Sequence, residues 1–188
     1  RKENAEFRCE ALRAQTNPHF LFNSLNTLSS LIYEDREKAA RFIRHLSDVY
    51  RYVLENRNRE TITLGEELTF IKAFVYLYQL RFDNKLIISV KIEDALMHRL
   101  IAPMTLQLLI ENAVKHNIVS AKRPLNIDIF AENNLYLNVR NNLQKKQVDE
   151  ASTAMGLKNI VSRYGFLTPH PVEINESASE FIVKVPLI

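Results

Sequence analysis

The fold of this chain is decided near its start, by the stretch Gln15-Thr16-Asn17-Pro18-His19-Phe20-Leu21-Phe22-Asn23-Ser24-Leu25-Asn26. On a helix, at about 100° per residue, this stretch and the residues after it separate into two faces. We predict that one face is buried, through Leu21, Leu25, Leu28 and Ile32. The opposite face is polar and consists of Gln15, His19, Asn23, Asn26 and Ser30. The sequence therefore predicts a helix over residues 3–33 with an accessible histidine, and Pro18 predicts a kink or a new helix start.

His19 is the residue of this face that can do chemistry. An imidazole whose pKa stays near ~6.5 is largely neutral at cellular pH, so its free ring nitrogen can act as a nucleophile. On this helix alone, a surface histidine beside a proline kink is the simpler interpretation. Residues in the second half of the chain change that balance.

Two more helices are predicted after the first. From Arg36 to Glu55 apolar side chains recur every three or four positions, as in an amphipathic helix. The short connection before Arg36 predicts an antiparallel hairpin. One hairpin leaves much of its apolar stripe uncovered, so we expect it to pair with a second copy as a four-helix bundle. Thr63-Leu64-Gly65-Glu66 has the pattern of a capping box and predicts the start of a third helix.

Beyond about Phe82 the periodicity changes to short strands interleaved with helices. We predict, in order, a strand at 86–92, a helix opened by Pro103, two alternating strands joined at Asn133-Asn134, a mobile loop at 144–153, a helix at 156–167 and a closing hairpin of 172–174 with 181–185. This order indicates an α+β chain, in which the helical hairpin precedes an α/β sandwich. We place the two domains at residues 1–62 and 63–188.

The composition limits the class of protein. The 188 residues are 46% hydrophobic, which is enough for one large or two small domains with cores. The net charge of +3 is scattered along the chain, so we expect no nucleic acid partner. The 3 glycines form no cluster, which excludes a P-loop nucleotide site.

Hydropathy and the first residue suggest a location. No apolar run approaches the roughly 18 residues of a membrane span, and no signal peptide is recognisable. Because the chain begins at Arg1 rather than Met, we interpret it as a cytoplasmic fragment of an inner-membrane protein, with a membrane connection only through missing upstream segments. The single cysteine, Cys9, excludes an internal disulfide and suits a reducing compartment.

A second polar cluster lies on the helix predicted after Pro103. Asn112 and His116 are one turn apart, with Lys115 beside them and off the buried stripe. An amide oxygen can take one position on a Mg²⁺ ion, and Lys and His can donate hydrogen bonds to phosphate. A solvated helix face is the alternative interpretation of the same three residues.

Several motifs occur in a fixed order: Asn17-Pro18-His19-Phe20-Leu21-Phe22-Asn23, Leu46-Ser47-Asp48 with Arg51-Tyr52, Thr63-Leu64-Gly65-Glu66-Glu67-Leu68, Arg81-Phe82, and Glu111-Asn112-Ala113-Val114-Lys115-His116. Together they resemble the cytoplasmic core of LytS-like sensor histidine kinases over nearly the whole chain, and the run around His19 is highly specific. The resemblance implies a dimerising helical region that carries the phosphoacceptor, followed by an ATP-binding domain of the Bergerat fold, which has no P-loop.

The resemblance also implies a role for each matching residue. His19 matches the phosphoacceptor, and Asn112 matches the Mg²⁺-binding asparagine of the family's N-box. Lys115 and His116 match positions that approach phosphate. The implied cofactors are ATP and Mg²⁺, and the implied partners are a second copy of the chain and the receiver domain of a response regulator.

Other parts of the implied nucleotide site match less well. Gly156 and Leu157 match the start of the helix after the lid, where backbone N–H groups can hold phosphate. Asn141 stands where the family has an acid that accepts from the adenine amino group, and its amide oxygen is a weaker, neutral acceptor. Leu143 replaces a glycine and narrows the approach to the base.

The sequence therefore predicts an ATP-dependent protein-histidine kinase of a two-component system, with two alternatives. Asn117 and Ala154 also replace glycines, which suggests a stiffer lid and a catalytically silent dimeric scaffold with a degenerate nucleotide site. A different ATPase of the same fold would need a carboxylate one turn before Asn112, and that residue is Leu108.

Overall fold

The computed structural model describes residues 18–146 and 153–188, with side chains described for residues 20–146 and 156–188. The predictions for Cys9, for residues 3–17 of the first helix and for most of the loop lie outside the described residues. So do the side chains of His19 and Ala154, and the predicted kink at Pro18 falls on the boundary.

The chain forms two compact units, the first ending at Ser47 and the second covering residues 48–188. Helix α1 covers Pro18–Glu34, and helix α2 covers Arg36–Glu55 and so continues into the second unit. The domain boundary predicted after residue 62 is a different division and stays a prediction.

The connection between α1 and α2 is the single residue Asp35. The N–H of Asp35 donates to the Leu31 carbonyl at 2.8 Å, and the N–H of Ala39 donates to the Asp35 carbonyl at 3.0 Å. The Lys38 N–H donates to the Asp35 carboxylate at 3.0 Å, so Asp35 caps the start of α2. This is the short connection from which the antiparallel hairpin was predicted.

The buried face of α1 also differs from the predicted one. Leu21, Leu25 and Ile32 are 37%, 45% and 50% exposed, whereas the buried side chains are Phe20, Ser24 and Leu31. Apolar residues occur around most of this helix, so periodicity alone does not decide which of them pack within one chain.

Helix α3 begins with the predicted capping box, which is confirmed. The helix covers Leu64–Phe82, the Thr63 side chain accepts from the Glu66 N–H at 3.2 Å, and the Glu66 carboxylate accepts from the Thr63 N–H at 2.8 Å. The buried residues of α3 include the aromatic Phe70 and Phe74 and also the carboxylate of Glu67.

The rest of the second unit is a mixed sheet with helices. Strand β2 pairs in parallel with β4, and the other neighbours in the five-stranded order β2-β4-β5-β7-β6 are antiparallel. A separate antiparallel pair is formed by β1 and β3. The bounds are β1 Ile62–Thr63, β2 Leu86–Lys91, β3 Leu100–Ile101, α4 Thr105–His116, β4 Leu125–Glu132, β5 Tyr136–Asn142, α5 Thr153–Leu167, β6 Glu173–Glu176 and β7 Glu180–Pro186.

The predicted hairpin turns are present. Asn133 and Asn134 have φ angles of 52° and 54°, the left-handed pair that a two-residue hairpin turn requires and that asparagine tolerates. The predicted start of the last helix was three residues late, because α5 begins at Thr153 and includes Ala154 and Met155, which are good helix formers.

The sheet has one apolar and one charged face. Ile127, Ile129 and Val139 are buried on the face where α3 and α4 pack. On the other face Arg140 pairs with Asp128 at 3.0 Å and Lys184 pairs with Glu132 at 2.7 Å. This arrangement confirms the α+β class and the sandwich that the Bergerat fold implies. Within the described residues, every helix is too short or too polar to cross a membrane.

Candidate functional site

Helix α4 carries the polar cluster predicted from the sequence. Its buried side includes Leu109, Ile110 and Ala113, as expected for the stripe that holds it against the sheet. Asn112 and His116 are half-buried and Lys115 is exposed. The cluster therefore lies at the edge of the core, where side chains are positioned by packing and still reach solvent.

The N-terminus of α4 is capped by a residue of another helix. Its own N-cap, Met104, has a left-handed φ of 62° and offers no side-chain acceptor. The carboxylate of Glu67 instead accepts from the Met104 N–H at 3.0 Å and from the Leu106 N–H at 2.9 Å. These are two of the N–H groups that a helix start leaves without partners, and a carboxylate there is also favoured by the helix dipole.

The sequence motifs do not mark Glu67 as a functional residue. Glu67 stands in the motif that begins at Thr63, but the capping box there uses the adjacent Glu66. One signal was present, because Leu64, Glu67 and Ile71 share a face of α3, so an acid lies in an apolar stripe. A buried carboxyl group needs hydrogen-bond or ionic partners, so this spacing predicts that Glu67 has partners on another element.

Glu67 lies in a network that includes α2. The Tyr52 hydroxyl on α2 donates to the Glu67 carboxylate, and the Tyr52 ring stacks on Phe70 of α3 with centroids 3.9 Å apart. Complete burial raises the pKa of Glu67 to about 7, and its hydrogen bonds together with the charge of Arg163 oppose the rise. The carboxyl group is therefore close to half-protonated near neutral pH.

Two residues of α5 hold the turn before α4. The Arg163 guanidinium donates to the Pro103 carbonyl at 2.9 Å and to the Arg59 carbonyl at 3.1 Å. The Tyr164 hydroxyl accepts from the Ala102 N–H at 3.3 Å. Arg163 therefore has a structural role at this turn.

The other end of α4 is tied to the chain that leaves β5. The buried Asn117 amide donates to the Ala113 carbonyl at 2.8 Å and accepts from the Gln144 N–H at 2.6 Å. The Ile118 N–H donates to the Gln144 carbonyl at 2.9 Å, and the Lys146 N–H donates to the His116 carbonyl at 2.9 Å. Asn117, which was predicted only to stiffen the lid, makes side-chain bonds here that glycine could not make.

His116 is shifted toward its neutral form. Partial burial and the nearby Lys115 ammonium both lower the pKa of His116. Near neutral pH the imidazole can therefore offer a neutral N–H donor to an anion, while Lys115 can offer positive charge.

Asn141 lies on β5, opposite Ile127 of β4 and Phe181 of β7. Its side chain is buried, and its amide nitrogen donates to the Asn142 carbonyl at 2.8 Å. The amide oxygen is thus the part of the group that can accept from a ligand. Leu143, which follows this strand, is half-buried.

Gly156 and Leu157 lie in the first two turns of α5 and are half-buried. A Cβ added at Gly156 would meet no atom within 4 Å, so steric space does not demand glycine at this position. Because α5 begins at Thr153, both residues are further inside the helix than predicted.

The candidates of the nucleotide site occupy three elements of one unit. Helix α4 carries Asn112, Lys115 and His116, and it packs against both β5 and α5, which carry the others. His19 belongs to the first unit, where the structure describes its backbone on α1.

The polar groups on these elements fit a magnesium nucleotide. Among the described residues no group of three His, Cys, Asp or Glu side chains could hold a metal ion. One amide oxygen at Asn112 suits Mg²⁺, which usually takes one or two protein ligands and completes its shell with phosphate and water.

The chain is similar to known histidine kinases. Residues 7–86 match the family model described as histidine kinase. The sensor protein LytS of Staphylococcus haemolyticus is 40% identical over 136 residues, which are 71% of this chain and 23% of that protein. The sensor histidine kinase/phosphatase LytS of Staphylococcus aureus is 38% identical over 120 residues, 64% of this chain and 20% of that protein.

Among solved structures, the histidine kinase AdeS of Acinetobacter baumannii aligns with 85% of this chain and with 82% of the AdeS chain. The identity is 13% and the TM-score is 0.43, a likeness too weak to support an argument. The chain spans between 20% and 23% of the length of the two curated relatives above. The chain is therefore similar to histidine kinases over residues 7–86 and to the LytS sensor proteins over 64–71% of its length.

Proposed function

We propose that this chain is the phosphoacceptor and ATP-binding part of a sensor histidine kinase of a two-component system. It transfers the γ-phosphoryl group of ATP to His19 and then to an Asp of a response regulator receiver domain. The observation that carries this proposal is the histidine kinase match over residues 7–86, which includes the run around His19.

In this proposal ATP supplies the phosphoryl group, and Mg²⁺ offsets phosphate charge as that group leaves. The Asn112 amide oxygen is the protein ligand for Mg²⁺. Lys115 supplies positive charge and His116 supplies a neutral donor to the phosphates. Backbone N–H groups near Gly156 and Leu157 add further donors, as helix starts do for anions.

His19 is the proposed nucleophile. A neutral imidazole attacks through its unprotonated nitrogen, so no separate base has to remove a proton first. The pH dependence of the reaction should therefore follow the neutral fraction of His19.

The helices of the first unit support a homodimer. Several large apolar side chains of α1 and α2 are exposed, namely Leu21, Phe22, Leu25, Ile32, Tyr33 and Ile43, with exposed fractions between 37% and 91%. Clustered exposure of this kind marks an interaction surface. A second copy of the same helices is the occupant that the proposed four-helix bundle supplies.

The proposed location is the cytoplasmic side of a membrane. The curated relatives are named sensor proteins and are several times longer than this chain. A sensing part outside the chain would connect it to the membrane, and the receiver domain would meet it in the cytoplasm.

The second candidate function is a catalytically silent dimeric scaffold. It is favoured by Asn141, because a neutral amide replaces an acid at the position that accepts from adenine. Its nitrogen is already bonded to the Asn142 carbonyl. One acceptor oxygen remains, and it forms a weaker bond than a carboxylate would.

Calorimetry of ADP binding in the presence of Mg²⁺ separates the two candidates. The kinase proposal expects binding by the parent chain, a loss of about tenfold or more in affinity for Asn112→Ala, and no change for Gln107→Ala on the same helix. Absence of binding to the parent chain would favour the scaffold. Labelling with γ-labelled ATP then tests transfer, with His19→Ala as the variant and His45→Ala as the matched control.

A further inference from the structure

A small buried cluster connects helix α2 to helix α4, which carries candidate nucleotide-binding residues. We define the Glu67 cluster as Tyr52, Glu67, Met104 and Leu106. Glu67 accepts from all three partners, which belong to α2 and to the start of α4. The proposed kinase reaction gives no role to this cluster.

Burial of the Glu67 carboxylate is unfavourable in free energy, and its hydrogen-bond partners offset that cost. Its exposure is 0%, and an unpaired carboxylate in such a place would be strongly unfavourable. Met104, a residue with a side chain, is also held in a left-handed conformation. Such strain persists only where the surroundings determine the conformation, and the bond from Met104 N–H to Glu67 is part of those surroundings.

The start of α4 and Asn112 belong to one short rigid element. Asn112 is six positions after Leu106, which is about 9 Å along the helix at 1.5 Å per residue. A helix of this length moves as a unit, so a shift or tilt at its N-terminus changes the position of the Asn112 amide. Glu67 therefore acts on Asn112 through the helix and without touching a ligand.

Tyr52 gives the cluster its connection to α2. Its ring is held by stacking on Phe70, and its hydroxyl separately bonds Glu67. Arg163 adds a second link, since its guanidinium joins the Arg59 carbonyl, just after α2, to the Pro103 carbonyl, just before α4. The end of α2 and the start of α4 are thus joined twice.

We propose that Glu67 is a positioning residue that couples the end of α2 to the Mg²⁺-nucleotide site, by fixing the N-terminus of the helix that presents Asn112. When Tyr52 donates to Glu67, α4 is held in the position that favours Mg²⁺-nucleotide binding. A movement of α2 that withdraws Tyr52 loosens α4 and weakens that binding. The identity of the ligand in this inference rests on the proposed function, whereas the coupling itself is argued from the hydrogen bonds of Glu67.

The test uses two nearly isosteric substitutions and two controls. Glu67→Gln turns one acceptor into a donor that faces other donors, and Tyr52→Phe removes the hydroxyl while keeping the stacked ring. Glu66→Gln is the matched control, because this neighbouring carboxylate bonds Arg59 and Thr63 but not α4. Asn112→Ala is the second control, and it shows how much Mg²⁺-dependent affinity is lost when the proposed Mg²⁺ ligand itself is removed.

The readout is the factor by which Mg²⁺ increases ADP affinity, measured by calorimetry with Mg²⁺ and with a chelator. We expect that factor to fall about tenfold in Glu67→Gln and about threefold in Tyr52→Phe, and to be unchanged in Glu66→Gln. The double variant Tyr52→Phe with Glu67→Gln should show the same loss as Glu67→Gln alone, because both substitutions remove the same Tyr52–Glu67 hydrogen bond. An equal loss with and without Mg²⁺ would mean a merely structural role and would overturn the coupling.

Amide hydrogen exchange of the nucleotide-free chain provides a second readout. Tyr52→Phe should raise exchange over residues 104–108 and leave β4 and β5 unchanged, and unchanged exchange at 104–108 would contradict the inference. If the parent chain binds no ADP, the proposed function fails together with this coupling. If the parent binds and Asn112→Ala loses the Mg²⁺ effect while Tyr52→Phe and Glu67→Gln keep it, only the coupling fails.

Discussion

The two units of this chain differ in how far they bury their large apolar side chains. In the second unit the large residues of the sheet and of α3 are buried, and Phe74 is 0% exposed. In the first unit Phe22 and Tyr33 are 65% and 91% exposed on a helix of good apolar content. The second unit therefore has an extensive apolar core, whereas the first unit keeps large apolar side chains on the surface that the proposed dimer would cover.

The largest effect expected from this contrast concerns the second unit. Phe74→Ala should lower the free energy of unfolding by about 3–5 kcal/mol, because it removes a fully buried ring and leaves a cavity. Phe22→Ala is the matched change in the first unit and should lower it by less than about 1 kcal/mol. Urea unfolding followed by circular dichroism measures both, and equal losses would contradict the contrast.

The next effect concerns pH and the buried acid of the second unit. Since burial raises the pKa of Glu67 from 4.5 to about 7, the folded state holds the proton more tightly than the unfolded state. The corresponding stabilisation is complete below the unfolded pKa and is lost as the pH rises through about 7.

Relative to Glu67→Gln, the parent chain should therefore lose up to about 3 kcal/mol of unfolding free energy between pH 4.5 and pH 8. Urea unfolding across this range measures the difference between the two proteins. A difference that stays constant with pH would show that Glu67 has an ordinary pKa.

A smaller effect is expected at the apolar surface of the first unit. Leu25→Lys places a charge among the exposed apolar residues of α1, so the dissociation constant of the proposed dimer should rise by about tenfold or more. Sedimentation equilibrium measures this change. Ile87→Lys, at an exposed apolar position of the sheet, is the control and should leave the dimer unchanged.

The smallest effect concerns the start of α3. Thr63→Ala removes the side-chain acceptor of the capping box and should cost about 1 kcal/mol of unfolding free energy. Thr63→Ser keeps the acceptor and should recover most of it. If serine were no better than alanine, the hydroxyl would not be the stabilising group.

Local chemistry explains which parts of the fold could be predicted. The capping box at Thr63 and the turn at Asn133-Asn134 are encoded by adjacent residues, and both are present. The short connection before Arg36 is also local, because the Asp35 carboxylate accepts from the Lys38 N–H at the start of α2. The buried face of α1 was missed because apolar residues surround that helix.

The site was predictable where its residues share one helix. Asn112, Lys115 and His116 lie together because helical spacing puts them together. Glu67 and Asn117 act through partners distant in sequence, such as Leu106 for Glu67 and Gln144 for Asn117. No periodicity within a single element indicates such pairs, so only the folded chain shows them.

The proposed function depends most on one step, the transfer of a phosphoryl group from ATP bound beside Asn112 to the imidazole of His19. The direct measurement is mass spectrometry of the chain after incubation with ATP and Mg²⁺, under neutral conditions that preserve phosphohistidine. The proposed transfer predicts phosphate on His19 in the parent and in His45→Ala, and none in Asn112→Ala or His19→Ala. Phosphate on another residue, or transfer that persists in Asn112→Ala, would contradict it.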